Sequence, residues 1–428
     1  MNKLELLSGS GAQIESPSLA EFPGVKFFIM QNLLRLSLLV LALVASVSAQ
    51  AQPRDIGRIE VIADNKTLPI RVSANTPELN ALALQAFGTH GRYRLVSSGF
   101  TYDIKFSAVT ATQVRVDIVK MPSNTPVASE VVTGATARNA LLRAADVAVV
   151  KTNGLGLPGY FASKIAFIGE RTGKKEVYTA DLFFGEAKQI TRDNAIALSP
   201  RWSPDGSKLI YTSFKSGFPD IFTIDLGSYQ RTTFVSFKGT NMGAHYSPNG
   251  AQVAMILTGT GTPEVWVASA QGRIGPQSRL TRSDDVKSSP CFSPDGSRIV
   301  FASGNPSPQL NVVPTSGGAS QRLRTGFGYA AEPDWSRAKP NLIVCTVKTG
   351  PQYQIAVYDF SKGKAEIVSK APFDGIEPTW LPDGRHVVYT ARTATTSALC
   401  ILDTETGKSV PISPKSFGPA LQGSVWAQ

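Results

Sequence analysis

Along most of the chain the hydrophobic positions come in short alternating runs, and the runs recur at a fixed interval. Alternation with period two marks half-buried strands. Each repeat centres on an aromatic residue followed by a turn: Trp202-Ser203-Pro204-Asp205-Gly206, Tyr246-Ser247-Pro248-Asn249-Gly250, Phe292-Ser293-Pro294-Asp295-Gly296 and Trp380-Leu381-Pro382-Asp383-Gly384. A degenerate copy begins Trp335-Ser336-Arg337, and Val425-Trp426 is a stump of the same signal. The aromatics stand at 202, 246, 292, 335, 380 and 426, with gaps of 44, 46, 43, 45 and 46. In each turn proline presets φ, Asp or Asn bonds nearby backbone, and Gly accepts positive φ. The turn therefore joins two antiparallel strands. The second of these alternates, as in Leu209, Tyr211 and Ser213. A third strand follows at constant offset, from Glu176-Val177-Tyr178-Thr179 through Glu264-Val265-Trp266-Val267 to Ala398-Leu399-Cys400-Ile401.

A period of this size with several strands inside it predicts a β-propeller. Six third strands against five aromatic-turn copies, one of them degenerate, leave the blade that opens at Lys164 without its innermost strand. The stretch from Gly423 to Trp426 can supply it, closing the ring and leaving no free edge. The prediction is six blades, the first completed by the last strand.

Residues 52–152 follow a different pattern, that of a small α+β domain. Ile59 and Val61 open a strand that resumes at Leu68 to Val72. Thr76 caps a helix with Pro77 at its first position. Leu79, Leu82, Ala83, Ala86 and Phe87 share one face, and Gly88 ends it. Tyr93 and Leu95, then Tyr102, Ile104 and Phe106, then Val114, Val116 and Ile118 alternate as strands. A second helix runs from about Thr136 to Val150, with Ala137, Ala140, Leu141, Ala144 and Ala148 inward. Residues 153–162 form a linker and 163–428 the propeller. Gly154-Leu155-Gly156-Leu157-Pro158-Gly159 matches the dinucleotide glycine pattern in letters only. A helix precedes it and a strand follows, the reverse of what that chemistry needs.

At the N-terminus, Arg35, the apolar run Leu36 to Val44 and the small residues Val47 to Ala51 read as a secretory signal too short to span a bilayer. Residues 1–51 are thus a leader, with translation starting at Met30. Residues 1–49 carry three basic and three acidic residues, so the net charge of +11 survives their removal. The basic residues are scattered, without the clusters or aromatic interleaving of a nucleic-acid surface. The three cysteines, Cys291, Cys345 and Cys400, fall in different blades without metal-ligand spacing, and read as small buried residues. Of the three histidines, His90 reads as a charge at a helix end, His386 as exposed, and His245 as either a contact or a packed residue. No catalytic, cofactor or metal residue is expected. There is no Gly-x-Ser-x-Gly pentapeptide and no room for a hydrolase domain after Trp426.

The leader, the small first domain and the repeat together resemble the TolB family, the periplasmic propeller component of the Tol-Pal envelope system. Gly159-Tyr160-Phe161-Ala162-Ser163-Lys164-Ile165-Ala166-Phe167 is similar to the family's domain joint. The resemblance covers residues 53–428. It implies a monomeric, non-enzymatic periplasmic scaffold. The propeller would dock a peptidoglycan-associated lipoprotein (Pal-like). The N-terminal region would contact an inner-membrane-anchored, TolA-like protein. The family role is outer-membrane integrity and cell division. By position it puts partner contacts at Thr240, Asn241, Met242, Ser288, Glu332 and Glu377, with His245 beside them, on short loops entering the innermost strands. The competing reading is that Glu332-Pro333 and Glu377-Pro378 cap strands. A propeller enzyme (polysaccharide lyase or peptidase-related) and a periplasmic ligand sensor are the alternatives in other classes.

Overall fold

The computed structural model describes residues 67–427. The leader, the segment Gln50 to Ile56 and the strand expected at Ile59 and Val61 lie outside the described residues. Among the described residues no helix is long and apolar enough to cross a membrane.

The N-terminal layer comprises β1 (Leu68–Ala74), α1 (Pro77–Thr89), β2 (Tyr93–Leu95), β3 (Tyr102–Thr110), β4 (Gln113–Lys120), β5 (Thr125–Thr133) and α2 (Ala137–Thr152). Its sheet has the order β2-β1-β3-β4-β5. Thr76 accepts the Leu79 amide at 3.3 Å and caps α1 as expected. The expected apolar face of α1 is buried. The helix continues one residue past Gly88 and is capped by the backbone of His90. β5 is the strand the pattern missed. It is solvated along most of its length, so no alternation marks it.

The propeller has six sheets. Blade 1 holds β6 (Lys164–Gly169), β7 (Glu176–Asp181) and β8 (Lys188–Gln189). Blade 2 holds β9 (Ala197–Trp202), β10 (Lys208–Ser213), β11 (Asp220–Asp225) and β12 (Arg231–Val235). Blade 3 holds β13 (Asn241–Tyr246), β14 (Gln252–Leu257) and β15 (Glu264–Ser269). Blade 4 holds β16 (Lys287–Phe292), β17 (Arg298–Ser303), β18 (Gln309–Pro314) and β19 (Gln321–Arg322). Blade 5 holds β20 (Ala330–Trp335), β21 (Leu342–Thr349), β22 (Gln352–Asp359) and β23 (Lys364–Ile367). Blade 6 holds β24 (Asp374–Trp380), β25 (His386–Arg392), β26 (Ser397–Asp403) and β27 (Ser409–Pro411). The last strand, β28 (Ala420–Trp426), pairs antiparallel with β6 and completes blade 1. Trp426 stacks on Trp202 of the next blade with centroids 5.9 Å apart, and its Nε1 donates to Pro204 O at 3.0 Å.

The hairpin turns after the innermost strands gather at one end, here termed the turn face. The turns between third and fourth strands lie at the same end, as the Leu226 N–H to Ser207 O bond shows. The loops leading into the innermost strands gather at the other end, the loop face. The N-terminal layer joins the propeller at the turn face through blades 6 and 1. Arg138 forks onto Asp181 at 3.1 and 2.9 Å, and Asp146 accepts the amides of Phe161 and Ala162 at 2.7 and 3.0 Å. Burial pushes the Asp146 carboxyl up to about 7.

Two histidines depart from expectation at this joint. His90 and His386 are both fully buried, and their rings meet edge to face at 4.4 Å. Burial, then the neighbouring His386, holds the His90 imidazole well below its ordinary range, so it carries no helix-end charge. Burial also opposes charge on His386. Asp383 on Nδ1 (2.6 Å) and Asp403 near Nε2 (3.4 Å) outweigh it and push that imidazole up to about 9. The Gly91 N–H also points at Nε2 (3.2 Å), a bond open only to the neutral ring; the two flanking carboxylates favour the charged form. Arg385 holds Asp403 at 2.7 Å and Glu405 at 2.9 Å.

Candidate functional site

The central channel is built by one repeated irregularity. In every innermost pair the register shifts, so that two residues of the inner strand oppose one of its partner. The first bulge residue has positive φ each time: Ser199 (51°), Gly243 (65°), Ser289 (52°), Glu332 (53°), Glu377 (54°) and Gln422 (56°). The second is proline in four blades. Proline has no amide to give, and a bulge is where the ladder asks for none. Leu198-Ser199-Pro200 and its equivalents are thus bulges inside strands, not loops.

Six bulge residues make a ring in mid-channel, lining a cavity of about 90 Å³. Its polar side chains join neighbouring blades. Glu332 Oε2 accepts Thr346 Oγ1 (2.7 Å) and the Glu377 amide (2.8 Å). Glu377 Oε2 accepts Thr390 Oγ1 (2.9 Å) and the Gln422 amide (3.2 Å), and its Oε1 accepts Gln422 Nε2 (3.0 Å). Gln422 Oε1 in turn accepts the Ser199 amide at 2.7 Å. Burial, then the Glu377 charge, pushes Glu332 up to about 7.

Two positions further along each inner strand lies a second ring: Arg201, His245, Cys291, Asp334, Thr379 and Ser424. They line a cavity of about 250 Å³ opening at the turn face. In blade 1 the pairing sets Val425 opposite Ile165, the place Trp202 takes opposite Leu209. Trp426 therefore stands one residue beyond the aromatic position its spacing suggested. Its displacement lets it cover Gly206, where a Cβ would lie 2.2 Å from the indole.

The expected contact residues divide among these places. Glu332 and Glu377 come together in the mid-channel ring. Thr240, Met242 and Ser288 are half-buried at the loop-face end of blades 3 and 4, and Met242 packs against the core there. Asn241 is fully buried. Its Nδ2 donates to Phe237 O (2.8 Å) and Asp220 Oδ1 (3.1 Å), and its Oδ1 accepts the Phe237 amide (3.2 Å), so it pins a loop. His245 belongs to the turn-face ring, apart from the others. Burial, then Arg201, pushes its imidazole down to about 4, leaving it neutral. The three cysteines are buried and free.

Spacing did not single out a set of apolar residues on the loop face. Ile196 and Phe218 of blade 2, Phe237 before blade 3 and Val286 before blade 4 are 45%, 71%, 50% and 37% exposed. Phe218, Phe237 and Val286 each stand in the sequence as a large apolar residue among turn formers.

These features define a class: a six-bladed β-propeller of the aromatic-Ser-Pro-Asp-Gly type, closed by its C-terminal strand and joined to a small α/β layer. The profile of the TolB beta propeller domain matches residues 155–427. The chain belongs to the TolB β-propeller family. A TolB homolog of Chlorobium luteolum is 32% identical over 154 residues, 35% of this chain and 34% of that protein. The Tol-Pal system protein TolB of Desulfosudis oleivorans is 38% identical over 128 residues, 30% of this chain and 28% of its own. The chain thus spans about a third of the length of the curated relatives it matches. TolB from Acinetobacter baumannii, a crystal structure, has the same fold: TM-score 0.73 at 22% identity, over 85% of this chain and 97% of that one.

Proposed function

We propose that this chain is a non-enzymatic docking scaffold of the cell envelope, working in the periplasm once residues 1–51 are removed. In this reading it is a Tol-Pal component, as the Desulfosudis oleivorans relative is named. The loop face of the propeller receives a Pal-like lipoprotein, and the N-terminal region meets a TolA-like protein. One observation carries the docking surface: Ile196, Phe218, Phe237 and Val286 stand exposed on three consecutive blades beside Thr240, Met242 and Ser288. Apolar groups held open on a rigid rim are what a protein partner buries. The inter-blade bonds of the bulge ring pre-organise that rim, so little entropy is lost on docking. The same bonds occupy Glu332 and Glu377, which favours a scaffold role for them over proton transfer.

The test uses the mature chain and a purified Pal-like lipoprotein, with affinity read by calorimetry. Phe218→Ser combined with Phe237→Ser removes two side chains at least half exposed, so the fold is little affected. Affinity is expected to fall about tenfold or more. Unchanged affinity in a folded double variant would put the interface elsewhere and overturn the reading.

A further inference from the structure

The turn-face ring carries chemistry that docking at the loop face does not use. Three consecutive blades contribute His245, Cys291 and Asp334 to it, and one ligand atom from each lies within 4.8 Å of the other two. We propose that this ring binds a single borderline-soft divalent cation, Zn²⁺ by preference, on His245, Cys291 and Asp334.

Each candidate ligand is already oriented through another atom or a neighbour, as metal ligands are. His245 Nδ1 stands 2.9 Å from Tyr246 O. A carbonyl only accepts, so Nδ1 carries the proton and the neutral ring keeps its lone pair on Nε2. Asp334 Oδ2 accepts the Trp380 amide (2.7 Å) and Thr379 Oγ1 (3.1 Å), while Oδ1 accepts the Cys291 thiol at 3.5 Å, a proton that leaves when the metal binds. The Trp335 N–H points at Cys291 Sγ from 3.4 Å and would stabilise a thiolate there. Cys291 Sγ and Asp334 Oδ1 are 3.5 Å apart. Bonds of about 2.3 Å to sulfur and about 2.0 Å to oxygen at a tetrahedral angle give an edge of about 3.5 Å. The Sγ–Oδ1 separation thus already matches a tetrahedral edge, and a ligand atom of His245 lies within 4.8 Å of both.

Mixed nitrogen, sulfur and oxygen donors favour zinc over magnesium or calcium. Three protein ligands leave a fourth position facing the 250 Å³ cavity, where water can sit and through which the ion can enter. Cys291 loses its thiol proton to solvent on binding. Thiolate and carboxylate together then balance the dication, with Arg201 and Arg337 at the rim. The ion would tie blades 3, 4 and 5 together at the turn face. Ligand spacings of 46 and 43 residues are invisible to any local metal motif, because the donors arrive one per blade. The other buried cluster, His90, Asp383 and His386, is a poorer site. There Nδ1 and the carboxylate already touch at 2.6 Å, too close for two ligands of one ion.

The mature full chain is titrated with Zn²⁺ alone by calorimetry, and with Co²⁺ as a spectroscopic probe. One equivalent is expected to bind, with a thiolate-to-cobalt charge-transfer band. Cys291→Ser should abolish the band, and both it and His245→Gln should weaken Zn²⁺ about tenfold or more. Cys345→Ser and His90→Gln should leave binding unchanged. Absence of Zn²⁺ binding, an intact band in Cys291→Ser, or loss of binding only in His90→Gln would overturn the proposal.

Discussion

Glu332→Gln probes the belt of bonds that joins the blades in mid-channel. The Glu332 carboxyl is pushed from 4.5 to about 7 by burial and by Glu377, against the pull of Thr346, the Glu377 amide and Arg392. A group raised in the folded state stabilises that state fully below its unfolded value and loses the contribution as pH climbs through the folded one. At 1.36 kcal/mol per pK unit, the shift implies that the native protein gives up on the order of 2–3 kcal/mol between pH 5 and pH 8 on account of this one group. Glutamine keeps an acceptor for Thr346 or for the Glu377 amide and cannot ionise. Urea unfolding of both proteins at pH 5, 6, 7 and 8 reads the effect of Glu332 together with its coupling to Glu377, the remaining titrating groups being common to the pair. The variant should gain about 2–3 kcal/mol on the parent between pH 5 and pH 8, whatever the difference at pH 5. A difference between the two that stays constant across this range would refute the account of a buried, half-titrated carboxyl.

Two further perturbations test the ends of the ring and the domain joint. Trp426→Ala removes the stack on Trp202 and the bond to Pro204 O, and should cost about 2–4 kcal/mol. Denaturation with hydrogen exchange on β6 checks it, the β6 amides losing protection first. Gly91→Ala places a Cβ 1.8 Å from Asp403 Oδ2. It should cost about 1–3 kcal/mol and speed limited proteolysis of Asn153 to Gly159, whereas unchanged cleavage would show that the joint tolerates the clash.

Much of the architecture was legible because its causes are local. The aromatic-turn repeat, the third strands and the cap at Thr76 each depend on a few adjacent residues, and each lies where the pattern set it. Closure by the last strand was legible too, by counting, although the register displaces Trp426 by one. β5 was not, because a solvated strand has no alternation to read.

The sequence by itself determined the blades, their number and the helices of the first layer, since turn preference and hydrophobic period act within a few residues. Only the tertiary structure decided that Ser199, Glu332 and Glu377 are bulges facing the axis, that His90 lies against His386, and that His245, Cys291 and Asp334 converge. Those meetings join residues tens to hundreds of positions apart. They are made by ring closure and domain packing, which no short window of sequence contains.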